Sequence, residues 1–419
     1  MRLHSYSHQK QADYHILRAS VTWEDVDRPT QEIFFRYRAP DPYFLPDNYH
    51  PFLLAAIVPA LRRGERRIKV EGAVCPWLKG HLNTFMAHLT NWYWYKYGRH
   101  RHDRRVPTVE AEPRSFQRPP TPRTGSFFSG GVDSLSTIRR NRLTVPLDHP
   151  GSITDAIVVH GFDLGFQPAR GTDDGYFQFV IDSMKEVVAD AGLNLIPVFT
   201  NLRTLDPHDD CWLDEYMGSA MAAVAHGLAG RLSDVLVAST YDIATLHPFA
   251  SHPFLDPHLS SYGLRLHHDG EQCNRVEKVR MIAEWPAALN SLRVCLFGDE
   301  GMLNCGRCAK CVRTKLELLC AGKLRDARTL PGDVPCPDMV RRTLTLEPET
   351  IAFMDGLIAA LRKAGRTDLA RSVSRRKRAY FLGKAGDWAF LVKALDERFL
   401  DGRLKRAVRL YRSQYRAHG

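Results

Sequence analysis

Between residues 125 and 297, short apolar runs alternate with amphipathic stretches, and each change of period marks a change of element. The apolar runs at 125–128, 156–162, 193–200, 235–240 and 293–297 predict strands, and the 3.6-residue pattern predicts helices over 132–140, 174–191, 213–229 and 275–284. Strands that are apolar along their whole length, separated by helices, belong in a parallel sheet covered on both faces. The expected fold class is therefore α/β, a doubly wound parallel sheet.

The flanking regions have different patterns. Residues 14–43 read as short strands, with alternation in Glu32-Ile33-Phe34-Phe35-Arg36-Tyr37-Arg38, broken by Pro40, Pro42 and Pro46. A helix at 51–63, a strand at 67–70 and an aromatic-rich helix at 76–97 follow, so residues 1–98 are expected to form an N-terminal α+β domain. Residues 99–123 are crowded with Arg, His and Pro and read as a linker, with room for one short strand at 106–109. The domain at 124–320 then gives way to a helical, basic region at 321–419.

Composition narrows the class. A chain of 419 residues that is 44% hydrophobic and 25% charged is that of a globular protein large enough for more than one core. The N-terminus has no apolar leader and the longest apolar stretch, 51–61, is far short of a membrane span, so a soluble, cytoplasmic protein is expected. Of the net charge of +11, residues 361–419 carry 17 Lys/Arg against 5 Asp/Glu, which leaves the rest near neutral. Such a tail suits a nucleic acid or an acidic partner, and equally a solvated helical face.

Candidate chemistry begins at Ser129-Gly130-Gly131-Val132-Asp133-Ser134, placed between a short apolar strand and a helix. Paired glycines turn the backbone tightly and let its N–H groups approach an anion without a Cβ in the way. The helix start adds unpaired donors and the positive end of the dipole, which suits pyrophosphate. Ser129 and Ser134 are placed to donate to phosphate oxygens, and Asp133 to cap the helix or help hold Mg²⁺. A plain turn with an N-cap is the simpler alternative, and no Walker A sequence competes.

A second constellation, Cys295, Cys305, Cys308 and Cys311, has the spacing C-x9-C-x2-C-x2-C. Four thiolates satisfy tetrahedral Zn²⁺, with Arg307, Lys310 and Arg313 offsetting their charge, and a fully ligated ion would be structural. Free buried cysteines and an iron–sulfur cluster stay open. The remaining cysteines, Cys75, Cys211, Cys273, Cys320 and Cys336, lack such spacing.

On these residues the chain resembles the PP-loop, or N-type, ATP pyrophosphatases, whose signature Ser129–Ser134 matches. With the cysteine spacing added, it is most similar to the 7-cyano-7-deazaguanine synthase branch, over roughly residues 125–319. The resemblance implies an adenine nucleotide alpha hydrolase-like fold and an enzyme using ATP and Mg²⁺ to adenylate a substrate oxygen with release of pyrophosphate. A nitrogen or sulfur nucleophile then displaces AMP. It implies ATP contacts at Ser129, Gly130, Gly131, Val132, Asp133 and Ser134 and at His160, Gly161 and Phe162, with Asp133, Ser134 and Lys278 in the catalytic role. The loop holding Tyr241, Asp242, Ser251, His252 and Asp256, together with Arg275, looks like that branch's substrate loop. Its three His residues fit no standard metal spacing, which favours a Pro-stiffened loop.

The leading expectation is thus a ligase-like enzyme acting on a carboxylate or carbonyl oxygen of a small molecule. An RNA-modifying enzyme using the basic tail, an ATP-dependent epimerase of a peptidoglycan-precursor glutamate and a non-catalytic nucleotide-binding protein are the alternatives. The acceptor, the donor and the oligomeric state stay open.

Overall fold

In the computed structural model the alternation of apolar runs resolves into ten strands: β1 (Arg2–Gln11), β2 (Tyr14–Thr22), β3 (Gln31–Tyr37), β4 (Arg67–Val74), β5 (Thr108–Pro113), β6 (Thr124–Phe127), β7 (Ile153–His160), β8 (Asn194–Thr200), β9 (Asp234–Ala238) and β10 (Arg265–Asp269). The structure describes residues 1–39, 45, 47–97, 106–165, 174–298 and 301–386. All ten strands among the described residues lie in one sheet, in the order β10-β9-β6-β7-β8-β3-β2-β1-β4-β5. The half from β10 to β8 is parallel throughout. The other half is an antiparallel meander of β1, β2 and β3, with β4 and β5 added parallel to β1. The protein is therefore α/β, with a mostly parallel central sheet.

The seam between the halves is the antiparallel pairing of β3 with β8, at Phe35↔Thr200, Arg36↔Phe199 and Tyr37↔Val198. Tyr37 is fully buried there, and its hydroxyl donates to Val224 O at 3.0 Å. The N-terminal elements thus share a sheet and a core with the rest of the chain. Part of the stretch read as a linker, Thr108–Pro113, is itself the edge strand β5.

Each face of the parallel half feeds its own core, because successive strand residues point to opposite sides. Phe127, Ile157, Ile196 and Val235 join one cluster with the helices His50–Arg63 and Met217–Gly227. Phe128 and Val158 join a second cluster with the helices Val132–Thr144, Asp174–Ser183 and Arg275–Ala283. The 51–61 run is buried residue for residue inside the helix His50–Arg63, which explains its uniform apolarity. Among the described residues no helix is long and apolar enough to cross a membrane. A third, smaller core ties the helices Pro337–Thr343, Met354–Lys363 and Thr367–Gly386 to Val312 and Leu316 of the helix Ala309–Cys320.

Three expected elements differ from the sequence reading. Residues 293–297 are not a strand: the Arg293 amide donates to Gly130 O (2.8 Å), and those of Val294 and Cys295 to the Asn304 side chain (2.8 and 3.1 Å). The strand beside β9 is instead β10, whose sequence Arg-Leu-His-His-Asp lacks an apolar run because it is an edge. The helix expected over 174–191 is two helices, Asp174–Ser183 and Lys185–Asp190. That over 213–229 begins as a wide π turn, Trp212–Tyr216, before Met217–Gly227.

The strand order reverses at β6: the chain runs outward through β7 and β8 on one side, and later strands β9 and β10 lie on the other. A crevice opens at the carboxyl ends of the strands flanking such a switch point.

Candidate functional site

The connection leaving β6 at this point is the Ser-Gly-Gly turn. Phe128 N still donates to Ile157 O (2.8 Å) of the neighbouring strand, and then the chain reverses. Gly130 has φ +73, and a Cβ there would meet Met184 Cε at 3.0 Å and Ser291 O at 3.2 Å, so the position needs glycine on both counts. Gly131 is extended (φ −79, ψ 165) and serves as N-cap of the helix Val132–Thr144 without a side-chain cap. The first-turn amides of such a helix have no acceptor inside it. The two serines brace the turn. Ser129 Oγ accepts from Gly131 N (3.3 Å), and Ser134 Oγ accepts from Ser129 N (3.3 Å) and donates to Gly131 O (3.1 Å).

The turn forms one wall of a cavity of about 550 Å³ above the ends of β6, β7 and β9. Four cations, Arg275, Arg293, Lys310 and Arg313, line it together with the Asp133, Asp163 and Glu347 carboxylates. Asp133 is flanked by Lys278 Nζ at 3.5 Å and Arg275 at 3.8 Å. Lys278 is buried beneath it, where it also donates to Ser239 O. Arg275 continues to Glu317 Oε1 (3.1 Å) and Thr314 Oγ1 (3.3 Å).

Four cations against three carboxylates leave the lining with a formal excess of one positive charge. Burial, with Arg275 close by, pushes the Arg313 guanidinium down to about 10. Lys310, exposed to solvent yet on the cavity wall, is also lowered, with desolvation the largest cause. Glu317, fully buried between Arg275 and Arg313, is raised by burial despite both cations. Arg313 also lies over the Phe353 ring, 4.8 Å from its centroid, and Phe353 stacks on Tyr241 at 5.5 Å. Three buried donors on the cavity wall, Arg293 Nε, Arg313 Nε and Trp212 Nε1, have no hydrogen-bond partner among the described residues. Buried donors left in this state point to an acceptor-rich ligand.

Of the residues singled out in the sequence, Ser129, Gly131, Val132, Asp133, Ser134, Phe162, Tyr241, Ser251, Arg275 and Cys295 face this one cavity. Gly130 braces the turn from behind. His160 and Gly161 do not line the cavity. The His160 ring packs on Phe177 (5.0 Å) and Phe199 (5.2 Å), and Gly161, at φ +109, lets the backbone cross Thr200 O, which a Cβ would meet at 1.9 Å. Asp242 accepts from Thr245 Oγ1 (2.9 Å) within its own turn. His252 is buried against Trp92, and burial pushes it down to about 4. Asp256, also buried, accepts from Ser251 Oγ (2.7 Å) and pairs with His268 Nδ1 (2.8 Å), so it holds the loop rather than facing the cavity.

Arg293, Lys310, Arg313, Trp212 and Phe353 were not singled out for this cavity by the sequence. Lys310 and Arg313 are three apart on a helix, hence on one face, a spacing that signals a shared direction but not its target. Phe353 arrives from a distant segment with no local mark.

Beside the cavity, the Sγ atoms of Cys295, Cys305, Cys308 and Cys311 lie within 4.8 Å of one another, close enough to hold a metal ion. It is the one such group among the described residues; the His residues of the 247–258 loop belong to no group of three potential ligands, although His258 Nδ1 lies 3.0 Å from His81 Nδ1. Cys308 is the N-cap of the helix Ala309–Cys320, and Cys311 sits in its first turn. The Cys308–Cys311 hydrogen bond (3.5 Å) holds the Cys308 thiol below and the Cys311 thiol above the usual range. Four sulfurs this close are the donor set that a soft or borderline cation completes. Lys315, buried behind the cluster, donates to Pro331 O and to Asp333 O (3.2 Å).

The described part of the basic tail is the helix Thr367–Gly386, which buries Leu369, Ala370 and Val373 and exposes Arg371, Arg375 and Arg378. The tail aromatics Trp388, Phe390, Tyr411 and Tyr415 lie outside the described residues.

Compared with known proteins, the chain matches no family model, no curated protein and no solved structure.

Proposed function

We propose that the protein is an ATP-dependent enzyme of the PP-loop kind, which adenylates a carboxylate or carbonyl oxygen of a small molecule and releases pyrophosphate. The observation that carries this reading is the meeting of a glycine-built helix N-terminus with four cations and two unpartnered guanidinium donors around one cavity at the switch point of a parallel sheet. Such an array suits a ligand with several adjacent negative charges, and the apolar wall of Phe162, Trp212, Met217 and Met221 suits a flat or apolar body beside them. A nucleoside triphosphate has both parts. On this reading the parallel half of the sheet is an adenine nucleotide alpha hydrolase-like unit, and the cysteine cluster holds Zn²⁺ in a closed, structural site.

When bound, ATP supplies an electrophilic α-phosphorus and Mg²⁺ offsets phosphate charge. The chain's own residues then do the following. The amides after Gly131 receive the β- and γ-phosphates, Asp133 is placed to orient the cation while Lys278 and Arg275 hold its carboxylate, and Arg293 and Arg313 stabilise charge on the departing group. Tyr241, Phe249 and Ser251 bound the side where an acceptor would enter.

The test is product analysis with ATP, Mg²⁺ and a library of carboxylate metabolites. AMP and pyrophosphate in equal amounts are expected, and Asp133→Ala should abolish them. ADP with inorganic phosphate would place the chemistry at the wrong phosphorus and overturn the reading. Full turnover by Asp133→Ala would remove the assignment of that residue.

A further inference from the structure

We infer that the four-cysteine site is a clasp on the phosphate turn, so that a metal held there sets the cavity's affinity for pyrophosphate. The inference rests on the nucleotide reading and adds to it a control point outside the nucleotide's own contacts.

Two separate walls of the cavity hang from the same four sulfurs. The first runs through Cys295. Two residues before it, Arg293 donates its amide to Gly130 O (2.8 Å), and its Cβ lies 3.5 Å from where a Gly130 Cβ would stand. The segment between has no ladder to hold it. Its amides, Val294 N and Cys295 N, depend on the Asn304 side chain, which in turn donates to Leu292 O (2.8 Å) and Thr329 O (2.9 Å). Asn304 is fully buried and adjoins Cys305, so this staple is anchored in the cysteine loop itself.

The second wall runs through Cys308 and Cys311, which fix the start of the helix Ala309–Cys320. Lys310 and Arg313 leave that same stretch for the cavity. Without a metal, the sulfurs attract one another only through weak contacts of 3.4 to 3.9 Å, and the Asn304 side chain ties residues 292–295 to the cysteine loop without bonding Lys310 or Arg313. Coordination replaces those contacts with bonds and orders both walls before a ligand arrives. Ordering done in advance lowers the cost of binding, which appears as affinity.

A rival role is plain bracing of the C-terminal helices, since Val312 and Leu316 of the same helix also enter the third core. That role leaves the turn indifferent to the metal, and the experiment separates the two.

The full-length protein is compared zinc-loaded and chelator-stripped, with calorimetric titration of inorganic pyrophosphate and hydrogen exchange resolved to residues 130–134 and to β6 and β7. Stripping should weaken pyrophosphate binding at least tenfold and speed exchange at 130–134, while the two strands keep their protection. Equal affinity in both states, with the sheet protected, overturns the clasp and leaves the nucleotide reading standing. If the loaded protein binds no pyrophosphate the nucleotide reading falls, and exchange still judges the clasp: unchanged protection at 130–134 rejects it. Should stripping melt the whole fold, Cys308→Ser replaces it, because that residue belongs to the sulfur cluster without lining the cavity. That variant should lose its zinc and bind pyrophosphate several-fold more weakly while β6 and β7 stay protected, and undiminished affinity with the zinc gone overturns the proposal.

Discussion

Arg313 shows what one side chain contributes here. It is buried, faces a second guanidinium, and has a donor that makes no hydrogen bond and reaches Glu317 Oε1 only at 4.0 Å, a costly arrangement for a residue kept only for packing. Arg313→Gln should therefore weaken ATP binding by about 2 kcal/mol, roughly 30-fold, since charge-assisted hydrogen bonds are lost. Titration calorimetry checks this, and an unchanged affinity would move the anion elsewhere. At Gly161 the expected effect is on stability alone: Gly161→Ala drives a Cβ into Thr200 O at a left-handed φ and should lower the unfolding free energy by more than about 2 kcal/mol in a denaturant titration. The Ser129–Ser134 turn was legible in the sequence because its chemistry is local: six consecutive residues carry the glycines, the hydroxyls and the cap. Arg293 and Arg313 were not, since their meaning lies in which cavity their helix or loop faces, and one-dimensional spacing does not encode that.

At the scale of elements, the helix pair His50–Arg63 and Met217–Gly227 carries a pH dependence. His50 accepts from Cys75 N through Nε2 (2.9 Å), which requires the neutral ring, and burial holds it well below the usual imidazole range. His226 is buried 5.5 Å from it, and burial pushes it down to about 4. A depressed histidine pKa means that the unfolded chain binds the extra proton first. Stability is thus fully present above about pH 6.5, the ordinary value for histidine, and is lost as pH falls toward 4, by up to about 3 kcal/mol for His226. Thermal midpoints at pH 7 and pH 4.5 report this loss, and His226→Gln should flatten the profile; an equal midpoint at the two pH values would contradict the burial argument. Most elements of the parallel half were legible because buried strands and amphipathic helices have distinct periods. Residues 293–297 misled because a short apolar run ending beside the cysteine loop looks like a strand, and β10 escaped because Leu266 is its one apolar residue.

For the whole molecule, the sheet is continuous across what the sequence divides. The polar stretch 99–123 reads as a boundary, yet β5 within it closes one edge of the sheet, and β3 pairs with β8 although four strands and five helices lie between them in the chain. Such pairings are long-range in sequence and leave no local signal. The continuity also gives the cavity a rigid floor, since β6, β7 and β9 sit inside the sheet with β10 and β8 beyond them. The central claim, that the turn after β6 cups the phosphates of ATP, is tested most directly by a structure of the protein with α,β-methylene-ATP and Mg²⁺. The expected result is the β- and γ-phosphates hydrogen-bonded to the amides of Val132, Asp133 and Ser134, with Arg293 and Arg313 reaching them. An analogue seated elsewhere, or a turn that stays closed by Ser129 and Ser134 with the nucleotide excluded, would contradict it.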